Sequence, residues 1–174
     1  MKELLAILAL ILFTCLSLVA QDHHHVDPNE KLGVIAFPIS CSKTAQTTVE
    51  HGLALLHSFL FDDAETQFHA AVTEEPTCAM AYWAGAIGLY PPLAYRPTDP
   101  DMEQGWEMIQ KAQTLGPKTQ RERDYLDALA VFYRSDDRDY DTRNRQYSAA
   151  LEKVYKDYPT DQEAAVFYAL SLLA

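Results

Sequence analysis

Residues 64–76 read AETQFHAAVTEEP, and this stretch decides the fold. Ala64, Phe68 and Ala71 follow one another at intervals of four and three, so they share one face of a helix, and Pro76 marks where that helix has stopped. The two small residues let a neighbouring helix approach closely, and the large one fills the groove between them. A face built this way packs against other helices rather than against water.

Working outward, the same spacing returns twice. Residues 105–117, GWEMIQKAQTLGP, place Gly105, Ile109, Ala112 and Pro117 on it, and residues 147–159, YSAALEKVYKDYP, place Tyr147, Leu151, Val154 and Pro159 on it with bulkier side chains. One match carries little weight, because antiparallel helical proteins contain such intervals by default. Three in tandem, each closed by a proline, indicate an internal repeat. Before the first occurrence, Gly52, Leu55 and Leu56 lie in an apolar helical stretch that a short turn near residues 60–62 separates from Ala64. Tyr82, Trp83 and Gly85 precede the second, which carries an insertion through Pro91, Pro92, Pro97 and Pro100. The third has an insertion through Ser135, Asp136, Asp137 and Asp139.

Local punctuation agrees with this division. Thr119 with Glu122, and Thr160 with Glu163, have capping-box spacing, and Asp99 before Pro100 has the form of an N-cap followed by proline at the first helical position. The paired carboxylates Asp62 and Asp63, and Asp136 and Asp137, fall at turns and are read as caps. Helices are expected near residues 43–59, 61–74, 77–89, 100–115, 118–134, 141–158 and 161–173.

With Gly52, Ala64, Phe68, Ala71 and Pro76 all in place, residues 45–78 resemble one full tetratricopeptide repeat, and the chain from about residue 45 to 174 resembles exported bacterial proteins built from such repeats. The resemblance implies an all-α fold, a right-handed solenoid of helical hairpins with repeats at 45–78, 79–117 and 118–159, a partial unit at 160–174 and one unpaired C-terminal helix. It also implies a concave groove, lined by the first helix of each repeat, that holds a peptide or a partner's helix. Carried onto this sequence, the lining comprises Val49, Leu53, Leu56 and His57, then Trp83, Ile87 and Tyr90, with Tyr95 contributed by the loop PPLAYRP. Aromatic anchors in a groove carry binding energy. The lysines and arginines with which some members clamp a C-terminal carboxylate are missing from this set. Simple packing is the competing account of Trp83, Tyr90 and Tyr95.

The chain opens MKELLAILALILFTCLSLVAQD, a lysine followed by an apolar run at residues 4–20. Residues 1–20 read as a secretory signal peptide cleaved between Ala20 and Gln21, which makes the protein exported, periplasmic or secreted. The rival is an uncleaved membrane anchor, although 17 apolar residues sit at the lower limit for spanning a bilayer. Lipid attachment at Cys15 is disfavoured by the bulk of Phe13 and Thr14. Lys2 and Glu3 cancel, so the mature chain keeps the formal net charge of -11. That charge excludes nucleic acid as a partner, since phosphate demands clustered cations, and it disfavours anionic membrane surfaces. Acidity keeps an exported protein soluble, or draws a basic partner. At the other end DQEAAVFYALSLLA, residues 161–174, is apolar through Phe167, Leu170, Leu172 and Leu173. Solenoids usually finish with a polar capping helix, so the expectation is a fragment of a longer protein, or a face that docks on a partner or self-associates.

Once Cys15 has left with the signal, Cys41 and Cys78 remain, and an even count in an exported chain permits a disulfide. In a stack of hairpins the two lie at neighbouring N-termini, so a bridge would staple the arm, residues 21–42, over the first repeat; two buried free thiols are the alternative. Within that arm GVIAFPIS, residues 33–40, is too short for a helix and is expected to run extended over the exposed side of the first repeat. The tract QDHHHV, with His23, His24 and His25, is the one metal-like signal: with Gln21 first, His23 becomes the third residue, and an amine, two amides and one imidazole can wrap Cu(II) or Ni(II) in a square plane. No second cluster of ligands accompanies it, so no metal or cofactor is expected. His51, His57 and His69 have no nucleophile in recognisable context, and six glycines in the whole chain leave no phosphate-cradling loop. The expectation is therefore a non-catalytic protein-interaction scaffold with a protein or peptide partner. The alternative is the scaffold region of a larger exported enzyme or metal-handling protein.

Overall fold

The computed structural model describes residues 31–134 and 139–174. Among them the fold is all-α, with no strand and seven helices: α1 (Lys43–His57), α2 (Phe61–Glu74), α3 (Ala79–Gly88), α4 (Asp99–Leu115), α5 (Gln120–Arg134), α6 (Tyr140–Asp157) and α7 (Gln162–Leu173). Every helix expected from the sequence is present, with ends displaced by at most two residues. Residues 1–20, expected to be a signal peptide, and His23, His24, His25, Asp136 and Asp137 lie outside the described residues. No helix among the described residues is long and apolar enough to cross a membrane.

Consecutive helices pack against one another, α1 on α2, α3 on α4 and α5 on α6 as hairpins, with α2 on α3, α4 on α5 and α6 on α7 joining them. Additional contacts run from α1 to α3 and from α3 to α5, which gives the fold its repeat-like character. The three-position code explains this stacking. The buried residues of α2 are Ala64, Phe68 and Ala71, and those of α4 are Gly105, Ile109 and Ala112. In α6 Tyr147, Leu151 and Val154 are buried together with Asn144 and Ser148. Phe68 is fully enclosed, and glycines lie on both sides of its ring: a Cβ on Gly52 of α1 would fall 2.6 Å from Cδ1, and one on Gly88 of α3 2.8 Å from Cδ2. One side chain thus locks the first hairpin to the second, and it requires both neighbours to lack a side chain.

The capping expectations hold at one position of three. Thr119 and Glu122 form the reciprocal pair that opens α5, Glu122 N donating to Thr119 Oγ1 at 3.1 Å and Thr119 N to Glu122 Oε2 at 2.9 Å. At α4 the N-cap is Thr98 rather than Asp99, because Asp101 stands three residues on and closes a capping box with it, leaving Pro100 in the first turn. At α7 Asp161, not Thr160, caps the helix by accepting from Glu163 N at 3.1 Å, and Glu163 is turned elsewhere. Asp62 and Asp63 lie in the first turn of α2 rather than in a turn before it, where the partial positive charge of the helix start favours them.

The turn from α1 to α2 closes without glycine. Phe59 adopts φ 61°, Leu60 N donates back to Leu55 O at 3.0 Å and Phe59 N to Leu56 O at 3.1 Å, the paired bonds of a Schellman motif.

Candidate binding cleft

The odd-numbered helices α1, α3, α5 and α7 converge on an aromatic cluster formed by Trp83 of α3, Tyr125 of α5, Phe167 of α7 and Phe37 from the N-terminal arm. Phe37 stacks on Trp83 with ring centroids 5.1 Å apart and meets Tyr125 edge-on at 5.2 Å. Phe167 meets Trp83 edge-on at 5.7 Å and Tyr125 at 6.2 Å. His57, at the end of α1, tilts against Phe167 at 5.4 Å, and its Nε2 lies 2.7 Å from Glu163 Oε2 on α7. The His57–Glu163 pair therefore joins the first helix to the last across the cleft, which is why Glu163 does not complete a capping box.

The arm enters this cleft as an extended segment. Ile35, Phe37 and Ile39 turn inward while Ala36 and Pro38 are exposed, the two-residue alternation of an extended chain buried on one side. Helix side chains satisfy the arm's backbone. Phe37 N donates to Glu50 Oε1 at 3.1 Å, Ser40 N donates to Glu122 Oε1, and Ser42 N donates to Glu75 Oε2 at 2.6 Å. Arg121 supplies the opposite polarity, with Nη1 donating to Pro38 O at 3.0 Å and the guanidinium 4.4 Å from the Phe37 ring centre and 4.8 Å from that of Tyr125. The Cys41–Cys78 disulfide, Cα–Cα 5.6 Å, then fastens the arm to the start of α3. This bridge is the one expected from the cysteine count. The extended arm lies against the first repeat at Glu50, Glu75 and Cys78, and its Phe37 reaches beyond that repeat to pack between Trp83 of α3 and Tyr125 of α5.

Electrostatics follow from the same bonds. Burial pushes the Glu122 carboxyl up, but the amides of Thr119 and Ser40 together outweigh it and hold its pKa below the ordinary glutamate value. Glu75 is held low chiefly by the Ser42 amide. Burial raises the Tyr125 hydroxyl, and Asp161 beside it raises it further; Asp161 Oδ2 accepts from Tyr125 at 2.8 Å and from Arg121 Nε at 2.7 Å. Two polar atoms of the cleft, Trp83 Nε1 and His57 Nδ1, are buried with no partner among the described residues.

The expected groove residues are distributed unevenly. Trp83 and His57 lie in the cleft, the former 1 % exposed beneath Phe37. Val49, Leu53, Leu56 and Ile87 are core residues with no surface to offer in this conformation. Tyr90 is buried in a second aromatic cluster, edge-on to Phe132 at 4.8 Å and to Tyr147 at 5.3 Å, with its hydroxyl donating to Asn144. Tyr95 is exposed and touches Phe61 edge-on at 6.3 Å, outside the cleft. Phe37, Glu50, Tyr125, Arg121, Glu122 and Phe167 were not anticipated as lining. The alternation of Ile35, Phe37 and Ile39 is the signal that marks the arm as an insertable segment, whereas Arg121 and Glu122 carry no sequence signal beyond a helix start. Depressions elsewhere on the surface include one of about 450 Å³ between α6 and α7 and one of about 410 Å³ beside Arg96 and Arg143. Among the described residues no group of three or more His, Cys, Asp or Glu is placed to hold a metal ion.

The chain matches no protein-family model, no curated protein and no solved structure.

Proposed function

We propose that the protein is a non-catalytic interaction scaffold of the tetratricopeptide type, a right-handed solenoid of three helical hairpins plus α7, which works outside the cytoplasm and holds a segment of a partner protein in the cleft between its odd-numbered helices. The burial of the same three positions in α2 and α4 supports the repeat architecture. The disulfide accords with an oxidising, exported location. A single observation carries the function: the cleft already holds an extended segment, seating its alternate side chains against aromatic rings and meeting its backbone with carboxylates and a guanidinium. That is the way a groove recognises a peptide, with the backbone supplying affinity and side-chain slots supplying selectivity. It favours an extended segment over a partner helix. Affinity capture from a periplasmic extract tests the role. Reproducible enrichment of a protein over an unrelated acidic helical control is expected, and repeated failure to enrich any refutes it.

A further inference from the structure

Resting on the scaffold role proposed above, we infer that the arm is the cleft's tethered resident, and that the external ligand is an extended segment of the same chemistry, an aromatic residue flanked two positions away on either side by branched aliphatics, which must displace it. The arm defines that pattern through Ile35, Phe37 and Ile39, of which Phe37 is fully buried between Trp83 and Tyr125.

Three observations separate a displaceable occupant from a piece of core. First, the groups that hold the arm are themselves held by neighbours other than the arm. Glu122 Oε2 accepts the amides of Lys118 and Thr119 at 3.0 and 2.9 Å while Oε1 takes Ser40. Glu50 accepts from Gln46 Nε2 at 2.9 Å, and Arg121 is fixed by Asp161. The acceptors and the donor therefore keep their places when the arm leaves, and binding to groups already in position costs little ordering entropy. Second, the side chains of Val34, Ala36 and Pro38 face solvent, so between the disulfide and residue 31 the segment buries alternate side chains only. Third, the described part of the arm leaves the Trp83 indole N–H without an acceptor among the described residues while covering its ring. A competing segment that supplies one gains a hydrogen bond the resident does not make.

The tether sets the threshold for entry. A cleft occupied in cis for nine-tenths of the time weakens an incoming segment about tenfold in apparent affinity. Cutting the Cys41–Cys78 link lowers the local concentration of the arm and so lowers that threshold.

The test uses the full chain and a fluorescein-labelled peptide, LGVIAFPIS, corresponding to residues 32–40. Titrated by anisotropy, a Phe37→Ala chain should bind the peptide at least about tenfold more tightly than the oxidised wild-type chain. A peptide with alanine in place of its phenylalanine should bind neither. Equal binding by the Phe37→Ala and wild-type chains, with helical circular dichroism retained, overturns the inference. Should Phe37→Ala lose helicity, the Cys41→Ser/Cys78→Ser chain decides: peptide binding gained with helicity unchanged supports a resident occupant, whereas unchanged binding makes the arm a fixed part of the core and overturns it. A protein captured from extract that excess peptide does not release leaves the scaffold role standing and refutes this assignment of its ligand.

Discussion

Phe68 between its two glycines gives a prediction in which one substitution changes sign with its background. Phe68→Ala removes a fully buried ring and should cost about 3–5 kcal/mol, toward the upper end because Gly52 and Gly88 have no side chains to swing into the space. Gly52→Ala alone places a Cβ 2.6 Å from Phe68 Cδ1, in a ring that Gly88 confines from the other side. Overpacking of about 3 kcal/mol then exceeds the roughly 1 kcal/mol that alanine gains over glycine inside a helix, for a net loss of about 2 kcal/mol. In the Phe68→Ala background the clash has no partner, and Gly52→Ala should instead stabilise by about 1 kcal/mol. The coupling between the two sites is therefore about 3 kcal/mol, at the top of the range seen for contacting residues. Urea unfolding of the four oxidised chains, followed by circular dichroism, measures it. A Gly52→Ala effect that is the same within about 0.5 kcal/mol in both backgrounds would refute the proposed contact.

Other outcomes follow from the cleft. Glu75 is held below its ordinary pKa chiefly by the Ser42 amide of the arm, and Glu122 by the Thr119 amide with a further share from Ser40 of the arm, so both carboxyls bind protons more readily once the arm has left. Docking should be constant above about pH 5 and weaken as pH falls below about 4. The amide proton resonances of Ser40 and Thr119 should report a midpoint below the usual glutamate value and lose it in Glu122→Gln; a midpoint at or above that value counts against the assignment. Reduction of the disulfide, which closes a separation of 37 residues, should lower stability by at most about 4 kcal/mol in urea melts, and alkylation of two thiols in unreduced exported protein would remove the bridge altogether. Arg121→Lys keeps the charge but loses the planar group that stacks on Phe37 while bonding Asp161 and Pro38, and should cost about 1–3 kcal/mol and speed hydrogen exchange at the Phe37 amide. Unchanged exchange there contradicts the clamp.

The even-numbered helices were legible in the sequence and the cleft largely was not, for a physical reason. In α2 and α4 burial is governed by close approach of backbones, which demands small residues at fixed intervals and leaves a periodic trace in Ala64, Phe68 and Ala71 or Gly105, Ile109 and Ala112. The odd-numbered helices are buried more completely; nine of the ten residues of α3 are buried, so periodicity there cannot say which side faces the cleft. Leu53, Ile87 and Trp83 are all buried to the same degree, so burial alone does not separate groove from core. The arm's destination depends on contacts 82 and 83 residues away in sequence, Ser40 to Glu122 and Pro38 to Arg121, and no local pattern encodes such a pairing. The caps at Thr98 and Asp161 were misplaced by one residue because two adjacent polar side chains compete at each site and the choice depends on where the next acid is drawn, toward the helix start for Asp101 and toward His57 for Glu163.

The net charge also takes a different meaning from the structure. Read as a sequence, an excess of acids is a property of the surface. Glu122 and Glu163 are nonetheless only 1 % and 5 % exposed, and neither is neutralised by a lysine or arginine of its own: Glu122 is met by backbone amides at the start of α5, and Glu163 by His57. A helix start can hold such a carboxylate because its free amides and partial positive charge offset the loss of water. The beginnings of α5 and α7, which in a simple stack serve only to start helices, thereby become the polar lining of the cleft. Stacking and docking of the arm consequently rest on different residues, the former on Phe68 and its counterparts in the even helices, the latter on Trp83, Arg121 and Glu122 in the odd ones. Phe68 makes no ring contact with the Phe37 cluster, so a Phe68 variant that still folds should retain the arm, and an arm variant should retain the stack.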